Sequence, residues 1–207
     1  MINKKKHTLL KENAGRSMIE IFGILAIIAA LSTGALVSYS RAMRRYRLNE
    51  VIHQIALMST NIRAFYANVD SYESFDVETA VKFNMVSENM LGQGENLLSP
   101  YKGRVKITLD RAVHDGPENT AFVITYYDLP TEACVMLAQR DWAFDEKVGL
   151  VGIAVGENGE EPNYPKPLSQ VFAANKMTAP LNMNEAAEHC SGDDPLYPRA
   201  SVSWKYF

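Results

Sequence analysis

Gly15-Arg16-Ser17-Met18-Ile19-Glu20 runs directly into IFGILAIIAALSTGALVSY, residues 21–39, and this junction decides how the rest of the chain is read. Residues 21–39 carry no charge, and Ser32, Thr33 and Ser38 are their only strongly polar side chains. Coiled into a helix rising ~1.5 Å per residue, the segment extends roughly 28 Å, about the hydrocarbon thickness of a bilayer. Hydroxyls are tolerable there because they bond back to the helix. A carboxylate is harder to place: Glu20 must be protonated, stay at the interface or meet a cation. Upstream, Lys4, Lys5, Lys6 and Lys11 make a basic leader that favours a cytoplasmic N-terminus.

A Lys-rich leader that ends in Gly15, with Glu20 five residues on at the edge of an apolar run, resembles the type IV prepilin signal. The resemblance implies cleavage after Gly15 by a prepilin peptidase, so that residues 1–15 are a leader and the membrane helix stays in the product. It implies further that the product polymerises through that helix. The ammonium created on Arg16 then supplies the cation for Glu20, on its own or a neighbouring subunit. A signal anchor whose Glu20 rests in the headgroups is the plain alternative. A cleavable secretory signal fits less well, because such peptides are cut after the apolar region at small residues. Here Ser32-Thr33-Gly34-Ala35 is followed by more apolar chain, Leu36 and Val37.

Arg41, Arg44, Arg45 and Arg47 follow the span and leave the flanking charge nearly balanced. They either snorkel at the outer membrane interface or meet acidic groups of a neighbour once the helix leaves lipid. The two cysteines and Glu20 tip the orientation towards an exported head. Helical periodicity then continues past the membrane. Leu48, Val51, Ile55, Met58, Ile62 and Phe65 step by three and four, one apolar stripe. No proline interrupts residues 16–99, and the pattern fades near Asn68-Val69-Asp70. One helix over residues 16–69 is expected, lipid-embedded over 21–39 and then packed on the head.

Residues 70–207 suffice for one globular head with its own core. The chain of 207 residues has a formal net charge of −3, and loss of the Lys-rich leader makes it more acidic, which argues against general nucleic-acid binding. Asp76 to Phe83 is a short helical candidate. GRVKITL (103–109) alternates as a half-buried strand, AFVITYY (121–127) is a second, and HDGPEN between them suits a hairpin turn. Pro130 opens a helix through TEACVMLAQRDW. KVGLVGIAV (147–155) reads as a third strand, closed by Asn158-Gly159, and SVSWKYF as the last. Asn182 with Glu185 marks a capped helix running to Cys190.

Cys134 and Cys190 in an exported head most simply form one disulfide; two free thiols are the alternative. A metal site is weakly supported, since His189 adjoins Cys190 but no second spaced ligand pair exists. His7, His53, His114 and His189 are scattered, and no nucleophile motif or phosphate-binding loop occurs. Glu157, Glu160 and Glu161 flank a turn with no EF-hand spacing. Nothing here indicates catalysis.

The segment NLLSPYKGRVKITL…AFVITYYDLPTEACVMLA is similar to the type IVb branch of the pilins, especially the conjugation-type PilS proteins. That resemblance implies an α+β fold, a long N-terminal helix packed on an antiparallel sheet with a disulfide-bounded region, here 134–190. It implies the chain's own copies, the peptidase, the assembly machinery and the inner membrane as partners, and no cofactor. A pseudopilin or minor pilin is the rival in assembly chemistry, and a membrane-anchored periplasmic binding module the rival of another class.

Overall fold

The structure is a computed structural model that describes residues 18–94, 96–142, 149–175, 180–192 and 199–207. The leader, Gly15 and Arg16 lie outside these residues, as do the first residues of the expected strand at 147–155. The chain divides into two compact units, residues 1–45 and 46–207.

Helix α1 runs from Met18 to Phe65, 48 residues; residues 16 and 17 of the expected 16–69 helix lie outside the described residues, and the helix stops four residues short of 69. From Tyr46 on it belongs to the head unit. There the predicted stripe is the buried one: Val51, Ile55, Met58 and Ile62 are inaccessible, and Leu48 packs at the margin. Phe65 departs from it. The helix ends at this residue, so its ring lies half-exposed against Phe83, 4.8 Å between centroids. Tyr66, just past the end, takes the buried place instead, with its N–H donating to the Ile62 carbonyl at 3.1 Å.

A short helix α2 (Val77–Lys82) follows, with Asp76 Oδ1 accepting from the Thr79 N–H at its N-terminus. The strands are β1 (Leu97–Leu98), β2 (Arg104–Asp110), β3 (Ala121–Pro130), β4 (Leu150–Glu157) and β5 (Arg199–Tyr206). Helix α3 (Thr131–Ala138) separates β3 from β4, and α4 (Met183–His189) precedes β5. All pairings are antiparallel, in the order β1-β2-β3-β5-β4. The last strand, β5, therefore lies inside the sheet, between β3 and β4, rather than at its edge.

Two sequence expectations shift in detail. Strand β3 extends beyond Tyr127 to Pro130 across an irregularity in register, where Asp128 takes a positive φ of 55°. Pro130 thus ends the strand and caps α3 rather than lying in its first turn. Gly103 sits under the same irregularity: a Cβ there would stand 2.0 Å from the Tyr127 carbonyl oxygen, so only glycine permits this approach of β2 to β3.

Period-two alternation sorts the sheet into two faces. Phe122, Ile124, Tyr126, Ile153, Val155, Val202, Trp204 and Tyr206 join the α1 stripe in the main core. The opposite face is buried as well, beneath the segment that carries Leu168 and Val171. It is mixed: Thr125 and Ser203 hydroxyls bond at 2.7 Å, and Lys205 is fully buried.

Candidate assembly interface

The stretch of α1 from residue 18 to 42 is exposed along its whole length. Ile19, Phe22, Leu25, Ile27, Ile28, Leu31, Leu36 and Val37 are all exposed. The helix has the length and composition to cross a membrane, and none of its most apolar window is buried. Thr33 Oγ1 donates to the Ala30 carbonyl at 2.9 Å and Ser38 Oγ to the Gly34 carbonyl at 3.0 Å. These hydroxyls are satisfied within the helix, as lipid requires. Glu20 lies in the first turn, exposed, where a carboxylate also complements the positive end of the helix dipole. Arg41, Arg44, Arg45 and Arg47 are exposed further along. Of the residues expected to act in processing and assembly, Glu20 alone falls among the described ones.

In the head, Cys134 and Cys190 are bonded, with Cα atoms 5.7 Å apart and both residues fully buried. Helix propensity and capping place them there. Cys134 lies in the buried face of α3, and Cys190 caps the C-terminus of α4. The capping box of Asn182 and Glu185 fixes where α4 starts. The Leu181 N–H donates to the Ala138 carbonyl at 3.1 Å, a second tie between the end of α3 and the segment leading into α4. His189 is occupied in packing: its ring stacks on Tyr164 at 3.4 Å between centroids, with Nδ1 3.4 Å from Glu157 Oε1. Among the described residues no group of His, Cys, Asp and Glu could hold a metal ion.

Two polar arrangements were not visible in the sequence. In the first, Gln54 of α1 is buried; its Oε1 accepts from the Tyr126 hydroxyl and its Nε2 donates to Asn89 Oδ1, both at 3.1 Å. Asn89 Nδ2 in turn donates to Glu50 Oε1 at 2.6 Å. This chain ties helix, sheet and the turn at 88–90, and burial pushes the Tyr126 phenol well above its usual range. In the second, Lys205 Nζ donates to Asp110 Oδ2 at 2.8 Å and to the Leu168 carbonyl at 3.0 Å. It also lies 5.0 Å from the Phe172 ring centroid. A strand-period count through SVSWKYF sets Lys205 on the face of Ser201 and Ser203, but not that this face is covered.

Tyr127 donates to Glu161, and Arg104 stacks over its ring at 4.5 Å. Burial first, and then the Glu161 carboxylate, push its phenol up to about 12.

Comparison with known proteins agrees with this architecture. The family model described as PilS N terminal matches residues 45–201. The major structural subunit of the bundle-forming pilus of Escherichia coli O127:H6 (strain E2348/69 / EPEC) is 24% identical over 189 residues, covering 89% of this chain and 91% of that protein. The crystal structure of a type IVb pilin from Salmonella typhi superposes with a TM-score of 0.51 at 19% identity, covering 76% of this chain and 97% of that one. That likeness carries the fold: the long N-terminal helix and the five-stranded antiparallel sheet are those of a type IVb pilin. The chain belongs to the PilS family and is a type IVb pilin, a structural pilus subunit.

Proposed function

We propose that this structural subunit is the polymerising one, made as a prepilin and built into the fibre through α1. The precursor sits in the inner membrane with the head in the periplasm. A prepilin peptidase cuts between Gly15 and Arg16, and the assembly machinery moves the product into an extracellular filament of identical copies. The carrying observation is the exposed, uncharged stretch 21–39 within a continuous 48-residue helix. So much apolar surface has to be covered, by lipid first and then by the same segment of other copies. The E. coli relative is named as a major structural subunit, which favours an abundant fibre component over a tip or priming protein.

Glu20 sets the register in this reading. Bundling moves the carboxylate out of the headgroups, and the new ammonium of Arg16 on an adjacent copy becomes its partner. A buried pair contributes specificity more reliably than stability, because desolvation offsets much of the attraction. Glu20→Ala is expected to leave insertion, cleavage and head folding intact while lowering the yield of sheared surface fibres. Normal fibre yield from that variant refutes the docking role. Gly15→Val places a bulky side chain at the cut and is expected to accumulate full-length precursor in an immunoblot; normal maturation refutes the assigned site.

A further inference from the structure

We propose that Gln54 fixes the register of α1 on the sheet of its own head, a positioning role that the apolar contacts beneath the helix do not fill. The stripe that packs this part of α1 nearly repeats itself. A straight helix drifts by only ~20° over a seven-residue repeat. A slide of that length, roughly 10 Å along the axis, therefore turns the same face to the sheet. In such a slide Ile55 takes the place of Leu48, Met58 that of Val51, Ile62 that of Ile55 and Phe65 that of Met58. Every exchange is apolar for apolar. Hydrophobic burial is non-directional and follows the area removed from water, so it separates the two registers poorly. The opposite slide is barred by charge, since it brings Arg47 to the place of Gln54.

Buried polar atoms separate them. Gln54 is 1% exposed and Tyr126 is fully buried. The Tyr126 hydroxyl donates to Gln54 Oε1 and Gln54 Nε2 donates to Asn89 Oδ1, both at 3.1 Å; Asn89 Nδ2 continues to Glu50 Oε1 at 2.6 Å. The slide puts Asn61 at the place of Gln54 and Leu57 at that of Glu50. The asparagine amide is one methylene shorter, and leucine accepts nothing, so the Tyr126 hydroxyl is stranded away from water. Two further bonds tie α1 to the head: Asn61 Nδ2 donates to the Asn84 carbonyl at 3.3 Å and Arg63 Nε to the Phe207 carbonyl at 3.0 Å. Both side chains are partly exposed, so water replaces these bonds in any register. A buried donor left unpaired shifts an equilibrium by on the order of 10–100-fold. One polar side chain in an apolar seam selects register in the same way between coiled helices. The consequence for the fibre rests on the polymerising reading above: identical copies stack with one repeat only if each holds its helix in one register.

The test measures the distance between spin labels carried by Ala64→Cys on α1 and Glu88→Cys on the head, both exposed positions, in the full-length chain in detergent. The native cysteines are bonded and buried and take no label. The labelled chain is expected to give one distance. Gln54→Leu with Tyr126→Phe removes the amide together with the hydroxyl it serves, so neither is stranded. That paired variant is expected to unfold cooperatively and to show a second distance, displaced by up to roughly 10 Å. Met58→Ala opens a cavity under the same helix with the polar chain intact, and is expected to keep the single distance. One distance in the paired variant, or loss of its cooperative unfolding, overturns the proposal. So does a second distance in Met58→Ala or in the chain with Gln54 and Tyr126 in place. In cells the paired variant is expected to yield fewer sheared fibres, and a normal yield from a variant shown to hold two registers overturns the consequence for the fibre. Absence of the wild-type chain from fibres sinks the polymerising reading instead, and the distances still decide the register.

Discussion

Lys205→Met isolates the ion pair on the second face of the sheet. The wild-type ammonium is fully buried and held by Asp110 at 2.8 Å and the Leu168 carbonyl at 3.0 Å. Methionine keeps the length and apolar volume of the side chain but removes the charge and both bonds. Breaking a buried pair from one side costs about 3–5 kcal/mol. Here the side chain of Asp110 is 20% exposed, so water stabilises the orphaned carboxylate in part and about 2–4 kcal/mol is expected. For a chain of this size that lowers Tm by roughly 4–16 °C. The assay is thermal and urea unfolding of the mature protein in detergent, followed by tryptophan fluorescence from Trp142 and the core-buried Trp204. The companion variant Asp110→Leu with Lys205→Met removes both charges and is expected to recover most of the loss, since apolar replacement of a buried pair is close to neutral. A Lys205→Met protein within about 0.5 kcal/mol of wild type, the range of an ordinary surface change, refutes the argument. A double variant no more stable than the single refutes it as well.

Three further predictions follow from the head. Cys134→Ser opens a loop with a sequence separation of 56 and is expected to cost about 2–5 kcal/mol, with fewer surface fibres; quantitative alkylation of both thiols in unreduced native protein contradicts it. Gly103→Ala drives a Cβ onto the Tyr127 carbonyl and is expected to destabilise by about 1–3 kcal/mol, as overpacking does, read in the same unfolding assay. Tyr126, Tyr127 and Tyr206 all have phenols raised by burial, Tyr127 to about 12. A raised folded pKa makes the stabilisation complete below the unfolded value near 10 and progressively lost above it. Urea midpoints are therefore expected to be flat with respect to these groups below pH 10 and to fall between 10 and 12. A midpoint independent of pH across that window is the contrary result.

The elements legible in the sequence are those governed by local rules. The Leu48 to Ile62 stripe gave the buried face of α1 because helical spacing forces it. Asn182 and Glu185 gave the start of α4 through a capping box, and Cys190 its end. Alternation gave β2, and the runs AFVITYY, KVGLVGIAV and SVSWKYF mark the places of β3, β4 and β5. Non-local arrangements were not legible. Nothing in SVSWKYF shows that the last strand enters between β3 and β4. Nothing shows that residues around Leu168 cover the second face and bury Lys205. Gln54 fell off the predicted stripe as an ordinary polar residue, yet it is buried because Tyr126 and Asn89 meet it from distant parts of the chain. Of the assembly residues, Glu20 stands out in the sequence by its isolation at the edge of an apolar run, and the structure places it exposed in the first turn of α1.

The central claim is that the chain is processed at Gly15 and then becomes the body of a fibre. Fibres sheared from cells producing the native protein, purified and examined by intact-mass and N-terminal fragment mass spectrometry, test it most directly. The account predicts that this chain is the dominant protein of the fibre and begins at Arg16. Fibres built of other subunits, or subunits that retain residues 1–15, contradict it.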